Sequence, residues 1–444
     1  MKIVIIGNGI SGITAAKTLR KHSNHKITVI SDETELFFSR TALMYVFMGH
    51  MKVDNIIPHP KSFYEENKID LFFSRVRDIE FDQKEIVFED DHRMDYDKLI
   101  IATGSKPRMP NWPGNHLDGV HSLYHLQDLE TLERHCENMT KAVIVGGGLI
   151  GIELAEMIHS RGIPVSLLVR ENSYWNSVLP KEESEMVTKH ILHHGIDLQT
   201  NTELKEIWGD TEKVKMIYTS KDEKINCEFV GITVGVVPNV DFLGFSKLNI
   251  NRGVVVNEKL ETNIPDVYAI GDCAEIEQPR KGRKAIEAVW YTGRMMGQIV
   301  AHNITGTHME YDPGVWFNSA KFMDIEYQVY GTVPSKPTEG FEQLFWQHPK
   351  ENKSIRIVYN QETKAVTGFN LMGIRYRHEV CEKWIKNGSP IEEVLSNLSM
   401  ANFDPEFFKT YEKHLIQSYN EISGSTIQLN KNKSLKAVLS FLRK

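Results

Sequence analysis

Short apolar runs, each closed by Gly, Ser, Asp or Arg, recur along the first two thirds of the chain and alternate with segments of helical periodicity. Such runs are typical of strands buried on both faces of a parallel sheet. The runs are KIVIIG, KITVIS, KLIIATG, KAVIVGGG, PVSLLVR, EFVGITVGV and DVYAIGD. The alternation predicts an α/β fold, whose ligands lie at the carboxyl ends of the strands.

The last third of the chain has a different pattern. From Tyr311 onward, apolar and polar residues alternate, which predicts antiparallel strands with one buried face. Roughly the last 60 residues have a polar helical pattern and end in the basic amphipathic segment SLKAVLSFLRK. Two interpretations of this segment stay open: a terminal helix docked on its own protein, or weak attachment to a membrane surface.

Length and charge limit the function classes that fit. The 444 residues suggest several domains, and a net charge of −7 gives no electrostatic case for binding nucleic acid. The first strand pattern begins at Lys2, so no signal peptide is expected, and no apolar run approaches the ~20 residues of a membrane span. We therefore expect a cytoplasmic protein without an integral membrane segment.

The cysteines offer no redox pair and no metal site. They are distant from one another in sequence and have none of the spacings of thiol pairs, zinc sites or iron–sulfur clusters. The four are Cys136, Cys227, Cys273 and Cys381. Reduced, structural thiols are expected, and no metal is predicted.

The first strand is followed by the sequence GNGISG. Gly7 allows the tight turn, Gly9 lets a pyrophosphate approach the backbone, and Gly12 lets the helix pack closely on the strand. The phosphates would lie at the helix N-terminus, where free N–H groups favour anions. About 20 positions further on, Asp32 and Glu33 follow the second strand, and one of them should hold an adenosine ribose.

A second fingerprint, GGGLIG, begins after the strand that starts at Lys141. Its glycines Gly146, Gly148 and Gly151 occupy the same positions between strand and helix as those of the first. Two complete fingerprints in context are far more specific than one, and they indicate a duplicated nucleotide-binding unit.

Two segments connect the fingerprints: YDKLIIATG, which ends at Gly104, and PDVYAIGD, which ends at Asp272. With them, the chain resembles the pyridine nucleotide–disulfide oxidoreductase superfamily over about residues 1–330. Within it, the chain is most similar to rubredoxin and ferredoxin reductases and to the flavin-binding part of NADH-dependent nitrite reductases. The resemblance implies two Rossmann-like domains, one for FAD and one for NAD(P)H, followed by a C-terminal α+β domain and a helical tail.

The implied boundaries follow the repeats and a proline-rich linker at Pro107, Pro110 and Pro113. They give an FAD-binding domain at 1–112 and 240–306, an NAD(P)-binding domain at 113–239, an α+β interface domain at 307–395 and a tail at 396–444.

The resemblance also implies residue roles. FAD would contact the first fingerprint, one of the two acids, and Arg40, Thr103, Gly104, Asp272, Trp290 and Tyr291. NAD(P)H would contact Gly146, Gly148, Gly151 and Arg170. The catalytic candidates are Glu153, near the contact of nicotinamide with flavin, and Lys106, near the flavin. For Glu153, the alternative is an acid favoured by the helix dipole.

Departures from the family pattern change the expected chemistry. Thr41 stands where thiol-dependent relatives have a redox cysteine, so electrons should leave from the flavin itself. Tyr45 replaces a lysine that pairs with the glutamate in the ferredoxin-reductase branch.

Nucleotide preference depends on the end of the strand PVSLLVR. NADH enzymes commonly have a carboxylate there, whereas Val169 and Arg170 stand here. Arginine binds phosphate, which slightly favours NADPH, although Glu171 has the wrong sign and Arg170 could be a solvated surface residue.

The sequence therefore predicts an FAD-dependent NAD(P)H oxidoreductase whose acceptor is a small redox protein or a partner subunit. A basic run in an acidic chain could dock such a partner, or form a solvated loop: Arg280, Lys281, Arg283 and Lys284. The alternative function is a slow NADH-binding redox sensor similar to apoptosis-inducing factor. A homodimer stays open.

Overall fold

The computed structural model describes residues 1–244, 246–403, 409–430, 438 and 441. In residues 1–112 the strands are β1 (Lys2–Ile6), β2 (Lys26–Ser31), β3 (Ile69–Phe73), β4 (Val76–Glu80), β5 (Glu85–Phe88), β6 (Arg93–Asp95), β7 (Lys98–Ile101) and β8 (Ser105–Pro107). The helices are α1 (Ile10–His22), α2 (Leu43–Phe47) and α3 (Lys61–Glu66).

In residues 113–239 the strands are β9 (Val120–His121), β10 (Ala142–Val145), β11 (Val165–Leu168), β12 (Asp197–Gln199), β13 (Leu204–Asp210), β14 (Lys213–Thr219), β15 (Lys224–Asn226), β16 (Phe229–Ile232) and β17 (Val236–Pro238). The helices are α4 (Leu126–Cys136), α5 (Leu149–Ser160) and α6 (Lys181–His193).

The rest of the described chain begins with β18 (Val254–Val256), β19 (Val267–Ala269), β20 (Ala274–Ile276) and α7 (Trp290–Ile304). The later strands are β21 (Phe317–Phe322), β22 (Ile325–Gly331), β23 (Phe341–Gln347), β24 (Ser354–Asn360) and β25 (Val366–Met372). The later helices are α8 (His378–Asn387), α9 (Ile391–Ser396) and α10 (Glu412–Ser423).

Two five-stranded parallel sheets dominate the first 300 residues. The first has the order β19-β7-β1-β2-β3, and the second has the order β12-β11-β10-β16-β9. Helix α1 packs on the first sheet, α7 packs against α1, and α5 packs on the second sheet. The central strands are buried on both faces, as their continuous apolar runs predicted.

Two small, separate antiparallel sheets were not predicted. Strands β4, β5 and β6 form one, and β13, β14 and β15 form another. Strands β8 and β17 pair as an antiparallel ribbon, so the predicted linker begins inside a strand at Pro107.

The C-terminal third contains the predicted antiparallel sheet, in the order β21-β22-β25-β24-β23. Helices α8, α9 and α10 cover it around the buried Trp384. Most of the segment SLKAVLSFLRK lies outside the described residues, but Val438 is buried in this core and Phe441 lies against Trp384. Among the helices described here, none is both long and apolar enough to cross a membrane.

Candidate functional site

The candidate cofactor residues lie at one edge of the first sheet. Because β19, β7, β1 and β2 are parallel neighbours, the segments that follow them share the carboxyl edge. Gly7 follows β1, Asp32 and Glu33 follow β2, Thr103 follows β7, and Asp272 follows β19. Positions up to 265 residues apart in sequence are thereby brought together.

The first glycine loop has the geometry of a pyrophosphate cradle. Gly7 has φ +115°, and a Cβ there would lie 2.1 Å from the carbonyl oxygen of Ala102. A Cβ on Gly12 would lie 2.0 Å from the oxygen of Gly7, so both positions exclude any side chain. A Cβ on Gly9 would meet nothing within 4 Å, which leaves space on the ligand side. The loop therefore fits a dinucleotide.

Helix α1 directs free backbone donors into that space. Gly9 is its N-cap, and no side chain of the described residues caps it, so its first N–H groups stay available to an anion. A Cβ on Gly293 or on Gly271 would lie 2.6 or 2.4 Å from the hydroxyl of Ser11. These two glycines thus let the start of α7 and the Asp272 turn approach α1 closely.

Glu33, one of the two acids after β2, is held by Arg40. The Arg40 guanidinium donates to both carboxylate oxygens, at 3.0 and 2.6 Å, and the backbone N–H of Leu126 donates at 3.0 Å. Burial by itself would raise the pKa of Glu33, but hydrogen bonds from His125 and Arg40 outweigh it and lower the pKa to about 2. Asp32 is exposed and lies 3.7 Å from Arg75.

Tyr124 connects the Glu33–Arg40 pair to Asp272. Arg40 donates to the Tyr124 carbonyl oxygen and lies over its ring, with 4.4 Å to the ring centroid. The Tyr124 hydroxyl lies 2.9 Å from the Ser105 hydroxyl, which donates to Asp272 at 2.8 Å. Burial raises the pKa of Asp272, and the bond from Ser105 opposes that rise. Tyr124 and Ser105 were not predicted, because no local motif marks either residue.

The turn after β7 is fixed to the second half of the chain. The Thr103 hydroxyl donates to the carbonyl oxygen of Asn239 at 2.8 Å, and Gly104 has φ +68°. Lys106 forms an ion pair with Asp241. Its ammonium group therefore has a protein partner beside the β8–β17 ribbon.

The second glycine loop repeats the geometry of the first. Gly146 has φ +127°, with a hypothetical Cβ 2.4 Å from the Thr233 oxygen, and a Cβ on Gly151 would lie 2.2 Å from the Gly146 oxygen. Gly148, the N-cap of α5, again has nothing within 4 Å of its Cβ position. The buried Tyr174, which the sequence did not mark, donates to the Gly148 oxygen at 2.6 Å and holds this loop.

Glu153 lies on the second turn of α5, the helix that follows this loop. Burial raises its pKa to about 7, and the negative charge of Glu156 adds to the rise. Helix α2, which carries Tyr45, packs against α5. The carboxyl group can therefore hold or release a proton near neutral pH.

Arg170 follows β11 at the carboxyl edge of the second sheet. Its side chain is 74% exposed, and its Nε donates to Glu171 at 2.8 Å. The pair is exposed enough for Arg170 to reorient toward a ligand.

The basic run before α7 is not a uniform charged surface. Arg283 is buried, pairs with Glu287 at 2.5 Å and donates to the Gly314 carbonyl oxygen at 3.0 Å. The hypothesis that Arg283 docks a partner is therefore wrong, because its charge is already neutralised inside the protein. Arg280, Lys281 and Lys284 are exposed, and Arg280 lies 3.4 Å from Glu310.

Trp290 and Tyr291 begin α7. The Trp290 side chain is exposed, and the Tyr291 ring lies 4.3 Å from that of Phe317 on β21. The start of α7 therefore contacts the C-terminal sheet.

The four cysteines are free thiols. Three of them are buried, and burial raises the pKa of Cys227 to about 12. Burial also raises the pKa values of Cys136, Cys273 and Cys381. Thr41 is exposed beside Arg40.

Two glycine loops of the same geometry, each on its own parallel sheet, define a protein that binds two dinucleotides. Residues 1–297 match the family model of the pyridine nucleotide-disulphide oxidoreductases, and the chain belongs to this family. It is an FAD-dependent NAD(P)H oxidoreductase.

Individual relatives support this assignment. The chain is 31% identical to an NADH oxidase of Methanocaldococcus jannaschii, over 73% of this chain and 75% of the relative. It is 28% identical to an NADH-rubredoxin oxidoreductase of Clostridium acetobutylicum, over 89% and 99%. A ferredoxin reductase from Rhodopseudomonas palustris shares the fold, with TM-score 0.77, 24% identity, and coverage of 84% of this chain and 91% of that one.

Proposed function

We propose that this reductase passes electrons from NAD(P)H through FAD to a small redox protein or partner subunit, without a thiol relay. The two open glycine loops, together with Thr41 at the position of a redox cysteine, carry the proposal. When bound, the cofactors supply hydride and electron transfer. The chain's own residues bind them, orient them and control the local protons.

The first loop and its neighbours would hold FAD. The N–H groups of α1 would bind the pyrophosphate at Gly9. Asp272, which is held by Ser105, has a second carboxylate oxygen available to accept a hydrogen bond from a ribityl hydroxyl. Because Arg40 and Leu126 occupy the Glu33 carboxylate, we assign the adenosine ribose to Asp32, with the Arg40 pair supporting the adenosine end.

The FAD-binding domain would comprise residues 1–112 and 240–306, with NAD(P)H on 113–239. The first sheet takes β19 from the second of these FAD segments, which supports the discontinuous division. Residues 307–395 would form the interface domain, and 396–444 the tail. Lys106 of the β8–β17 ribbon pairs with Asp241, which follows β17. This pair would fix the ribbon, and Lys106 would act near the flavin in this way.

Glu153 would face the nicotinamide and set the pH dependence of flavin reduction. Its pKa of about 7 predicts that the anaerobic rate of flavin reduction by NAD(P)H changes around neutral pH. Glu153→Gln, which cannot ionise, should have a flat profile between pH 6 and 8. Stopped-flow absorbance of the flavin measures this rate.

Glu156 offers an internal control for that profile. Its charge contributes to the raised pKa of Glu153, so Glu156→Gln should move the inflection to lower pH without removing it. A profile that is the same in wild-type protein and Glu153→Gln would show that Glu153 does not control the reaction.

NADPH would be slightly preferred over NADH, with Arg170 binding the 2′-phosphate. The guanidinium is exposed at the carboxyl edge of the sheet, where this phosphate would lie. Glu171 competes for the guanidinium, which limits the preference.

Arg170→Glu should raise the KM for NADPH by roughly 10- to 150-fold, because one charge-assisted phosphate contact contributes about 1.5–3 kcal/mol. The KM for NADH should change little. Steady-state kinetics with both nucleotides and ferricyanide measure the effect. Wild-type protein that already prefers NADH tenfold would contradict this assignment.

The acceptor would dock beside the start of α7. Arg280, Lys281 and Lys284 give this acidic chain a local positive surface near the exposed Trp290. Opposite local charge speeds association with an acidic redox protein. The name of the Clostridium relative, NADH-rubredoxin oxidoreductase, supports an acceptor of this class.

Reversing these three charges to Glu should slow reduction of an acidic rubredoxin about tenfold or more at low salt, and flatten its salt dependence, because exposed charges act mainly on association. Turnover with ferricyanide should stay near wild type. Second-order rates across a salt series measure the effect.

Lys213, Lys215 and Lys224 on the small β13–β15 sheet provide a matched control of equal charge change. Their reversal should leave rubredoxin reduction nearly unchanged. Equal slowing in both triple variants would assign the effect to net charge, and no slowing in either would place the docking surface elsewhere.

A further inference from the structure

Three potential metal ligands converge where helix α6 meets the C-terminal sheet. His190 and His194 lie one helical turn apart at the end of α6, and Asp324 lies in the turn between β21 and β22. Their nearest side-chain nitrogen and oxygen atoms all lie within 4.8 Å of one another. This group lies outside both glycine loops.

Two of the three distances within the group are close to the edges of a small coordination polyhedron. Nε2 of His190 lies 3.1 Å from Nε2 of His194, and the latter lies 3.5 Å from Oδ1 of Asp324. His190 Nε2 is also in direct contact with that oxygen. Ligands about 2.0–2.2 Å from a tetrahedral zinc ion are separated from each other by roughly 3.3–3.6 Å. An ion would therefore require the exposed Asp324 side chain to move away from His190, while the two histidines stay nearly in place.

Asn352 supports His190 from outside the group. Its side-chain amide lies 2.8 Å from Nδ1 of His190. The nearer amide atom is the nitrogen Nδ2, and a half-turn of the amide brings its oxygen to Nδ1–H. This tautomer directs the Nε2 lone pair toward His194 and Asp324. Two imidazole lone pairs and a carboxylate then face one point, where a metal cation would satisfy all three.

We propose that His190, His194 and Asp324 bind one zinc ion, with solvent completing the coordination. Two imidazoles and one carboxylate suit zinc, whereas magnesium and calcium prefer ligand sets made only of oxygen. His190 is buried, but His194 and Asp324 are 38% and 74% exposed, which gives the ion a path from solvent.

The zinc ion would join two parts of the chain. Helix α6 belongs to the half with the second sheet, and the β21–β22 turn belongs to the C-terminal sheet. The buried Arg356 on β24 already connects the same parts by pairing with Glu183 of α6 at 2.7 Å. Zinc would therefore stabilise the contact between α6 and the C-terminal sheet at a second position.

Zinc titration of the FAD-loaded, tag-free protein against a chromophoric chelator tests the site, after removal of bound metal by dialysis. We expect about one zinc per chain. Asn352→Ala should weaken binding roughly 10- to 100-fold, as for other outer-shell partners, and His190→Ala or Asp324→Asn should weaken it more. His193→Ala is the matched control, since this exposed histidine of α6 lies outside the group, and it should bind as wild type.

Two results would overturn the proposal. One is less than about a tenth of a zinc ion per chain at saturation, and the other is an unchanged affinity in Asp324→Asn. Asp324 is exposed in a turn, so this variant stays informative even where His190→Ala does not fold. Loss of binding in His135→Ala alone would place the zinc at a second group, Asp118, His121 and His135, and would also refute the assignment.

Discussion

A Gly9→Val variant is expected to fold normally and yet to lose FAD. Gly9 has an ordinary φ of −67°, and a Cβ there meets no protein atom within 4 Å, so the protein itself tolerates the valine. The side chain would occupy the space of the pyrophosphate. Loss of two charge-assisted hydrogen bonds, at about 1.5–3 kcal/mol each, predicts that FAD binds at least about 100-fold more weakly.

Gly148→Val is the matched variant in the other loop. Gly148 has φ −98° and the same open Cβ position, so this variant should remain yellow but bind NAD(P)H at least about 100-fold more weakly. Flavin absorbance after gel filtration and nucleotide titration separate the two effects. Full FAD occupancy in Gly9→Val would refute the assignment of FAD to the first loop. Loss of FAD in Gly148→Val would instead place FAD on the second loop.

The second large effect is expected at the Glu33–Arg40 pair. Glu33→Gln leaves the partly buried Arg40 guanidinium without its countercharge, which should cost about 3 kcal/mol of unfolding free energy, the lower end of the range for buried pairs. Glu35→Gln is the control, because its pair with Lys61 is exposed to solvent and should contribute little to stability. Urea denaturation of the FAD-loaded proteins measures both.

The same pair should make stability depend on pH in a defined direction. The folded pKa of Glu33, about 2, lies below its ordinary value of 4.5. Its ionised form therefore stabilises the fold fully above about pH 5, and this contribution is lost as the pH falls toward 2. The gap between wild-type protein and Glu33→Gln should be about 1 kcal/mol smaller at pH 4 than at pH 7. A gap that does not depend on pH would contradict the lowered pKa.

The parts of the fold that were predictable are those with strong local patterns. The strands of both parallel sheets are continuous apolar runs because both of their faces are buried, and the glycine loops follow them directly. Strands β4 to β6 and β13 to β15 lie at the surface and mix charged with apolar residues, so their pattern was too weak to predict.

In the candidate site, too, residues with a local sequence pattern were predictable and residues placed by tertiary contacts were not. Gly9 and Gly148 could be named from spacing alone, but Tyr124 acts through contacts with residues 19 and 84 positions away. The basic run was identifiable in the sequence, whereas the burial of Arg283 depends on Gly314 and Trp316, about 30 residues later. Local sequence predicts charge, and only the tertiary fold determines which charge faces solvent.

The central claim is that one chain binds FAD and accepts reducing equivalents from NAD(P)H on a separate loop. Anaerobic stopped-flow mixing of the purified protein with NADH and with NADPH tests it most directly. The expected result is about one FAD per chain, bleached by at least one of the two nucleotides, with bleaching retained when all four cysteines are replaced by serine in a protein that still folds. Protein that cannot be loaded with FAD, or bound FAD that neither nucleotide reduces, would contradict the claim.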